Sequence, residues 1–464
     1  MDIKNSIYEK SPLWMQNFLI SIQGWRNETK RVNKKEAIKF YEFLLQSQYW
    51  SKDQLLDYQN KMFLDLIKES FLYVPYYINL SKETDLSIND FKDIQDIKLL
   101  PILKKSMIRG NENNFVNNKY DVKKLLKGGT SGTTGTPLKL YFDNQTFSKR
   151  WAFELRLRNW AGLNNVYKPR RVQFTGRDII PEYQKSQVFW RYNIPSNTLH
   201  CSTSNINANS VSLYLKAINE FKPEFIDGFP TAISVFVKLC MQKGYKLPSV
   251  KAVRVSAETL FDEDRKIIEE GFKTKVFNQF GSSESSCFCS DNEFGEMLVH
   301  PEFGLFEVID DNSNDVEPTG TGKVITTSFI NHIMPLIRYD LGDLVERGEK
   351  VTSFEGKNFE RLDLVYGRID DILEIPGKGY IARLTPIFKN IQDIIESQII
   401  LKNKFQLLIK LVVTESFDKS QIITLEKNTR KKVGNDIAIG FEFVDYIDRG
   451  PNGKFKTVID LTKK

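Results

Sequence analysis

From residue 170 to residue 284 the sequence alternates between two hydrophobic periods, and this alternation limits the possible folds more than any other feature. "RRVQFT", "EFIDGF", "VKAVRVSAE" and "KVFNQFGSSE" are short, apolar and rich in β-branched or aromatic residues, as strands are. Between them, "VSLYLKAINEF", "AISVFVKLCMQKGY" and "EDRKIIEEGF" carry apolar residues at helical spacing. Strands that alternate with helices of this length form parallel sheet with helices packed on it.

The flanking segments differ. Residues 1–100 read as helices, with one break at Ser51, a favourable N-cap. "LKLYFD" at 138–143 reads as a strand and "TFSKRWAFELRLRNWAGL" as a helix. "GLFEVIDDNSNDVEPTGTGKVITTSF" (304–329) reads as two strands around an Asp/Asn/Pro/Gly turn. From about residue 371 the chain has the look of a small α+β unit, with "LTPIFKNIQDIIES" as its helix and "QLLIKLVV" and "GFEFVDYI" as strands. At 464 residues the chain is too long for one ordinary core, so more than one domain is expected.

Composition narrows the class. The net charge of +7 is the small difference of 66 basic and 59 acidic residues, and no Lys/Arg stripe points to nucleic acid. Four cysteines (Cys201, Cys240, Cys287, Cys289) are too few for a disulfide framework and point to a reducing cytosol. The N-terminus lacks a basic start followed by an apolar core, so no signal peptide is read there. The best apolar run, "FQLLIKLVV" at 405–413, is short and carries Lys410, which excludes it as a membrane span.

The stretch "KGGTSGTTGTPLKL" (127–140) gathers glycines with Thr130, Ser131, Thr133, Thr134 and Thr136. Glycines let backbone N–H groups close on an anion, and the hydroxyls add donors. A strand follows it, and no Lys-Ser/Thr pair opens a helix, so it is not a Walker loop. On composition alone, linker and phosphate cradle stand level.

Beyond composition, the ordered motifs carry a resemblance. "TSGTTGTP" is similar to the phosphate-binding signature of the adenylate-forming enzymes, which include acyl-CoA synthetases, peptide-synthetase adenylation domains and luciferases. In the order of that family follow "SAETL" (256–260), "NQFGSSE" (278–284), "RYDLGDL" (338–344), "GRIDD" (367–371) and "GPNGKFKTVID" (450–460). "SPLWMQNFLISIQGW", "GRDIIPEYQKSQVFWRYN" and "KPEFIDGFPTAI" resemble the phenylacetate–CoA ligase-like branch, especially its members associated with capsular polysaccharide loci.

The resemblance implies an α/β fold in two parts. Residues 1–369 would form a large mixed-sheet nucleotide- and substrate-binding domain. Residues 370–464 would form a small mobile α+β lid, with the active site where the two meet. It implies ATP and Mg²⁺ as cofactors, a carboxylic acid as substrate and coenzyme A as the simplest acceptor. Thr130, Ser131, Gly132, Thr133, Thr134 and Gly135 would hold phosphates. Ser256, Ala257, Glu258, Phe280, Gly281 and Ser283 would line the adenine side, Phe280 standing where the family usually has tyrosine. Asp343 would hold ribose and Arg368 a ribose hydroxyl or phosphate, with Glu284 for the Mg²⁺, Asp370 as the hinge, and Lys454 as the charge at the reacting phosphate and carboxylate. Lys456, two residues on, does not directly follow the glycine.

Two alternatives stay open within this reading: transfer of the acyl group to an amine or hydroxyl of a sugar or carrier, and a nucleotide-binding scaffold without catalysis. Intact Glu284, Asp343 and Lys454 speak against the scaffold. Aromatics in "VFWRYN" (188–193) line the acid pocket or belong to the core. "CFCSDNEFGEMLVH" places Cys287, Cys289 and His300 near one another, and zinc completed by His200 or Cys201 is the lesser alternative to plain buried thiols. Ser131 and Ser283 lack a nucleophile-elbow pattern, and three histidines give a Ser-His-Asp hydrolase little support.

Overall fold

The structure, a computed structural model, describes residues 3–129, 138–176, 179–181, 184, 186–349, 357–368, 373–375, 379–381, 384–388, 391–449 and 455–463. Its contacts divide the chain into two compact units. One comprises Met1–Leu19, Arg170–Val276 and Tyr366–Lys464, and the other Ile20–Pro169 and Phe277–Val365. Among the described residues no helix is long and apolar enough to cross a membrane.

The first unit contains the alternating region. Ala252–Ser256, Phe225–Gly228, Arg171–Thr175 and Thr198–Ser202 lie side by side as parallel strands, with Trp190–Asn193 antiparallel at the edge. Helices Val211–Phe221, Pro230–Gln242 and Asp262–Phe272 follow the strands. Side chains alternate across each strand. Val172, Phe174, Ile226, Val253 and Val255 therefore enter one apolar cluster with Tyr214, Phe236 and Ile268. The intervening residues form a polar row instead: Asp227 accepts from Arg254 at 2.7 Å, and from Arg171 and Gln173 at 3.3 Å.

The same unit holds the C-terminal residues. Ala438–Phe443, Gln406–Val413, Ile394–Asn403 and Val458–Asp460 form a four-stranded sheet, and Leu425, Thr429 and Val433 of helix Gln421–Val433 are buried. Among the described residues, the helix expected over 384–397 is not formed. Thr385–Phe388 is a single 3₁₀ turn, and Ile394 already begins a strand. The β-branched pair Ile394–Ile395 follows the sheet, which overrides the weak helical spacing before it.

The second unit carries helices Lys34–Ser47, Lys52–Tyr73 and Pro75–Thr84 and an antiparallel sheet. Ser51 caps helix Lys52–Tyr73 with a full capping box through Gln54. Gly304–Ile309 and Thr321–Ser328 form the expected antiparallel pair, and Tyr339–Arg347 adds to it. Leu126–Gly129 pairs with Lys139–Phe142, Gly129 opposite Lys139, so the two stems of the Gly/Thr stretch are hydrogen-bonded to each other.

Candidate active site

In the second unit the strand Val276–Gly281 runs into a tight turn. Ser285 takes a left-handed backbone (φ 54°), its N–H donates to the Ser282 carbonyl, and the Ser286 N–H donates to Ser282 Oγ. Arg150 adds a bond from Nη1 to Ser285 Oγ at 3.2 Å. This local network leaves Ser283 exposed and turns Glu284 inward, where only 1% of its side chain is accessible.

The two oxygens of Glu284 have different surroundings. Oε1 accepts the Tyr339 hydroxyl at 3.0 Å and lies 4.0 Å from Lys105 Nζ. Oε2 is buried without a hydrogen-bond partner. A buried anionic oxygen with unmet lone pairs is costly in a protein alone. It suits a hard divalent cation, which takes carboxylate oxygen from the protein and completes its shell with water and phosphate.

The sequence reading did not pick out Tyr339 or Lys105 as site residues, although Tyr339 lies inside "RYDLGDL". One backbone bridge delivers both. The Leu103 N–H donates to the Arg338 carbonyl at 2.9 Å, and the Asp340 N–H to the Leu103 carbonyl at 3.0 Å. Leu103 is thereby fixed beside Tyr339, with Lys105 two residues on.

Asp343 lies on the same strand as Tyr339. Lys323 pairs with Leu344 but Ile325 with Asp340, so Leu341, Gly342 and Asp343 together oppose Val324 alone. Extra residues in one strand bend it and re-aim its side chains. Gly342 supplies the left-handed conformation (φ 74°) and Asp343 is buried. Phe280 is half-buried and paired with Cys289, and Gly281 ends that strand in an exposed position.

The remaining described candidates lie in the first unit. Ser256 ends its strand, and Ala257 follows in the left-handed region (φ 72°), where alanine is strained. Glu258 uses both carboxylate oxygens: Oε2 accepts from the Thr231 hydroxyl at 2.6 Å and Oε1 from the Phe455 N–H at 2.7 Å. Phe455 is buried under the Arg449 guanidinium, 4.6 Å from the ring centre, and Arg449 pairs with Glu396. Thr130, Ser131, Gly132, Thr133, Thr134, Gly135, Thr136, Asp370 and Lys454 lie outside the described residues, as does the side chain of Arg368, whose backbone ends the strand Arg361–Arg368.

The zinc alternative is not supported. Among the described residues no group of three or more His, Cys, Asp or Glu is placed to hold a metal ion. His300 has both ring nitrogens engaged. Arg156 Nη2 lies 2.5 Å from Nδ1, and a guanidinium can only donate, so Nδ1 accepts and Nε2 carries the proton toward Ser290 Oγ at 2.9 Å. Burial, with the Arg156 charge beside it, holds this imidazole well below its usual range. Cys201, Cys240, Cys287 and Cys289 are free and buried. Burial, and next the neighbouring Cys287, pushes the Cys289 thiol well above its usual range. These are core thiols.

Residues 373–460 match the family described as the CapK C-terminal domain. The whole chain is 31% identical to Protein CapK of Staphylococcus aureus, over 99% of this chain and 100% of that protein. It is 22% identical to a phenylacetate–coenzyme A ligase of Thermus thermophilus, over 89% of this chain and 98% of that one. Among solved structures, a 2-hydroxyisobutyryl-CoA ligase in its postadenylation state superposes with a TM-score of 0.69, covering 90% of this chain and 91% of that one. At 16% identity that likeness is one of fold.

Proposed function

Because this chain belongs to the CapK-like members of the adenylate-forming superfamily, we propose that it is an AMP-forming ligase that activates a carboxylic acid with ATP and passes the acyl group to a thiol. The observation that carries the reading is the buried Glu284 carboxylate, with one oxygen oriented by Tyr339 and the other without a protein partner.

A carboxylate acylates poorly because oxide is its leaving group. In the first step a substrate carboxylate oxygen bonds to the α-phosphorus of ATP. The bond from that phosphorus to the bridging oxygen breaks, and pyrophosphate departs. In the second step a thiolate attacks the acyl carbon and AMP departs, the thiol proton having gone to solvent. Both steps concentrate negative charge, so positioning and electrostatics are what the protein has to supply.

The roles divide by chemistry. Glu284 would hold Mg²⁺, whose charge when bound offsets that of the phosphates. Tyr339 orients the Glu284 carboxylate, and Lys105 keeps a positive charge near it. The N–H and hydroxyl groups of 130–136 are assigned to the phosphates, with Ser256, Ala257, Phe280, Gly281 and Ser283 on the adenine side. Asp343 offers acceptor oxygens to two vicinal ribose hydroxyls, with Arg368 beside them in this assignment. Asp370 is the proposed hinge between residues 1–369 and 370–464, and Lys454 the proposed charge at the reacting phosphate. The acceptor proposed is coenzyme A, the thiol named for the Thermus relative, and the setting proposed is polysaccharide biosynthesis.

The test is ATP-dependent pyrophosphate release across a panel of carboxylic acids, with the acyl-adenylate identified by mass, alongside thermal shift with ATP and Mg²⁺. The expected result is a nucleotide- and Mg²⁺-dependent rise in Tm, and release with at least one acid that Glu284→Gln abolishes. A wild-type chain whose Tm ignores ATP with Mg²⁺ would overturn the reading.

A further inference from the structure

We infer that Glu258 is a positioning residue for Lys454: its carboxylate ties down the backbone at Phe455, the residue directly after that lysine. The inference rests on the ligase reading above for the role of Lys454, and on geometry alone for the anchor.

The short segment after strand Ala252–Ser256 touches the chain on both sides of the stretch from the "GRIDD" motif to the lysine. Thr259 Oγ1 donates to the Tyr366 carbonyl at 3.4 Å. At Gly367 (φ 89°) a Cβ would come within 2.7 Å of that same hydroxyl, so the approach requires glycine. The neighbouring Glu258 accepts the Phe455 N–H at 2.7 Å. Two consecutive residues thus grip the chain at 366–367 and at 455. The strained Ala257 precedes them directly, and strain of this kind gathers where a side chain must be aimed.

The carboxylate is held from behind as well. Thr231, near the start of helix Pro230–Gln242, donates to Oε2 at 2.6 Å. Beyond Phe455 the chain is fixed by the Gln398 side chain on the Lys456 carbonyl, and by the Ile399 N–H on the Thr457 carbonyl, both at 2.8 Å. Before the lysine segment, Arg449 pairs with Glu396 and lies over the Phe455 ring. Each carboxylate oxygen of Glu258 thus accepts one protein donor, the Thr231 hydroxyl on Oε2 and the Phe455 N–H on Oε1.

A backbone displacement of about 1 Å at a catalytic group costs on the order of 100-fold in rate. Losing the Glu258 anchor should therefore lower kcat for adenylation and leave nucleotide affinity nearly unchanged. Glu258→Gln should restore most of the rate. Its amide oxygen can accept from Phe455, and its NH₂ can donate to the Thr231 oxygen.

The test uses the full chain and three variants, Glu258→Ala, Glu258→Gln and Thr231→Val. Hydrogen exchange at the Phe455 amide reads the anchor, and steady-state pyrophosphate release reads the chemistry. Glu258→Ala should speed Phe455 exchange at least about 10-fold and lower kcat about 100-fold, with KM for ATP moving less than about 3-fold. Glu258→Gln should lie within about 10-fold of wild type, and Thr231→Val between the two. Unchanged Phe455 exchange in Glu258→Ala would overturn the proposal. So would a matched loss in Ala and Gln variants with a raised KM for ATP, which would make the charge a ligand to nucleotide. If the wild-type chain releases no pyrophosphate with any acid, the ligase reading fails, and the exchange measurement still decides whether Glu258 holds Phe455.

Discussion

Tyr339 donates its phenolic hydrogen to Glu284 Oε1 across 3.0 Å, joining two motifs 55 positions apart in the chain. Glu284 Oε2, by contrast, is buried without a hydrogen-bond partner, a cost that a bound cation would offset. Neutralising the side chain should therefore stabilise the protein while removing its chemistry. Glu284→Gln should have an equal or higher Tm without ligand, by up to about 2 kcal/mol in stability, and no further rise with ATP and Mg²⁺. Tyr339→Phe strips the oriented oxygen too, and should weaken Mg²⁺ dependence of activity by about 10- to 100-fold. Thermal shift and a Mg²⁺ titration of pyrophosphate release check both.

The cysteines should be silent to both reagents and chelators. All four are buried in the folded chain. Burial alone pushes the Cys240 thiol up to about 12 and raises Cys201 as well. A thiol-specific reagent such as DTNB at mildly alkaline pH should label none of them until denaturant is added, because the thiolate is the reactive form. A zinc chelator should leave Tm unchanged. Rapid native labelling, or a fall in Tm on chelation, would count against the core-thiol assignment.

How much of this was visible in the sequence follows from the range of the interactions. Helix Val211–Phe221 has the bounds its spacing gives, because one amphipathic face packs against the sheet whatever lies elsewhere. Strand Thr198–Ser202 went unread: all five of its residues are buried, so it shows no alternation. Helix Gln421–Val433 was hidden by its charge, since Leu425, Thr429 and Val433 are its buried residues and Ile422 packs only partly buried beside them. At the candidate site, Glu284 and Asp343 were legible from their motifs. Lys105 was not, because nothing near it in the chain tells of the Leu103–Tyr339 bridge. Glu258 was placed by its motif on the adenine side, and its bond to a backbone group 197 residues away is a tertiary fact that local spacing does not encode.

Arg156 and Glu302 form a fully buried ion pair at 2.7 Å, and Ser47 Oγ donates to the same carboxylate oxygen at 2.6 Å. Phe153, Trp160 and Phe359 surround the guanidinium, each ring centre within 5.4 Å of it. Removing one charge strands the other in an apolar setting. Arg156→Met should cost about 3–5 kcal/mol. Adding Glu302→Leu should recover more than half of that loss, because the uncompensated carboxylate is then gone. Urea unfolding of the two singles and the double measures it. A double variant as unstable as Arg156→Met would show that packing geometry and not charge sets the cost.

The same cluster sets an acid limit on stability. Burial first, and the Arg156 charge second, holds His300 well below the ordinary imidazole value of about 6.5, and burial and Lys149 lower His332 too. Once unfolded, both imidazoles regain the ordinary value. Between the folded and unfolded values the unfolded chain binds protons that the folded chain refuses, so stability rises with pH in that window. The full contribution is present above about pH 6.5 and falls as the pH drops below it, by at most about 1.4 kcal/mol per pH unit for each histidine. His300→Gln keeps an oxygen to accept from Arg156 and an NH₂ to face Ser290, but cannot take up a proton. Urea midpoints measured between about pH 7.5 and about pH 5.5 should decline less steeply in this variant than in wild type. An equal slope in the two proteins would place the acid sensitivity elsewhere in the chain.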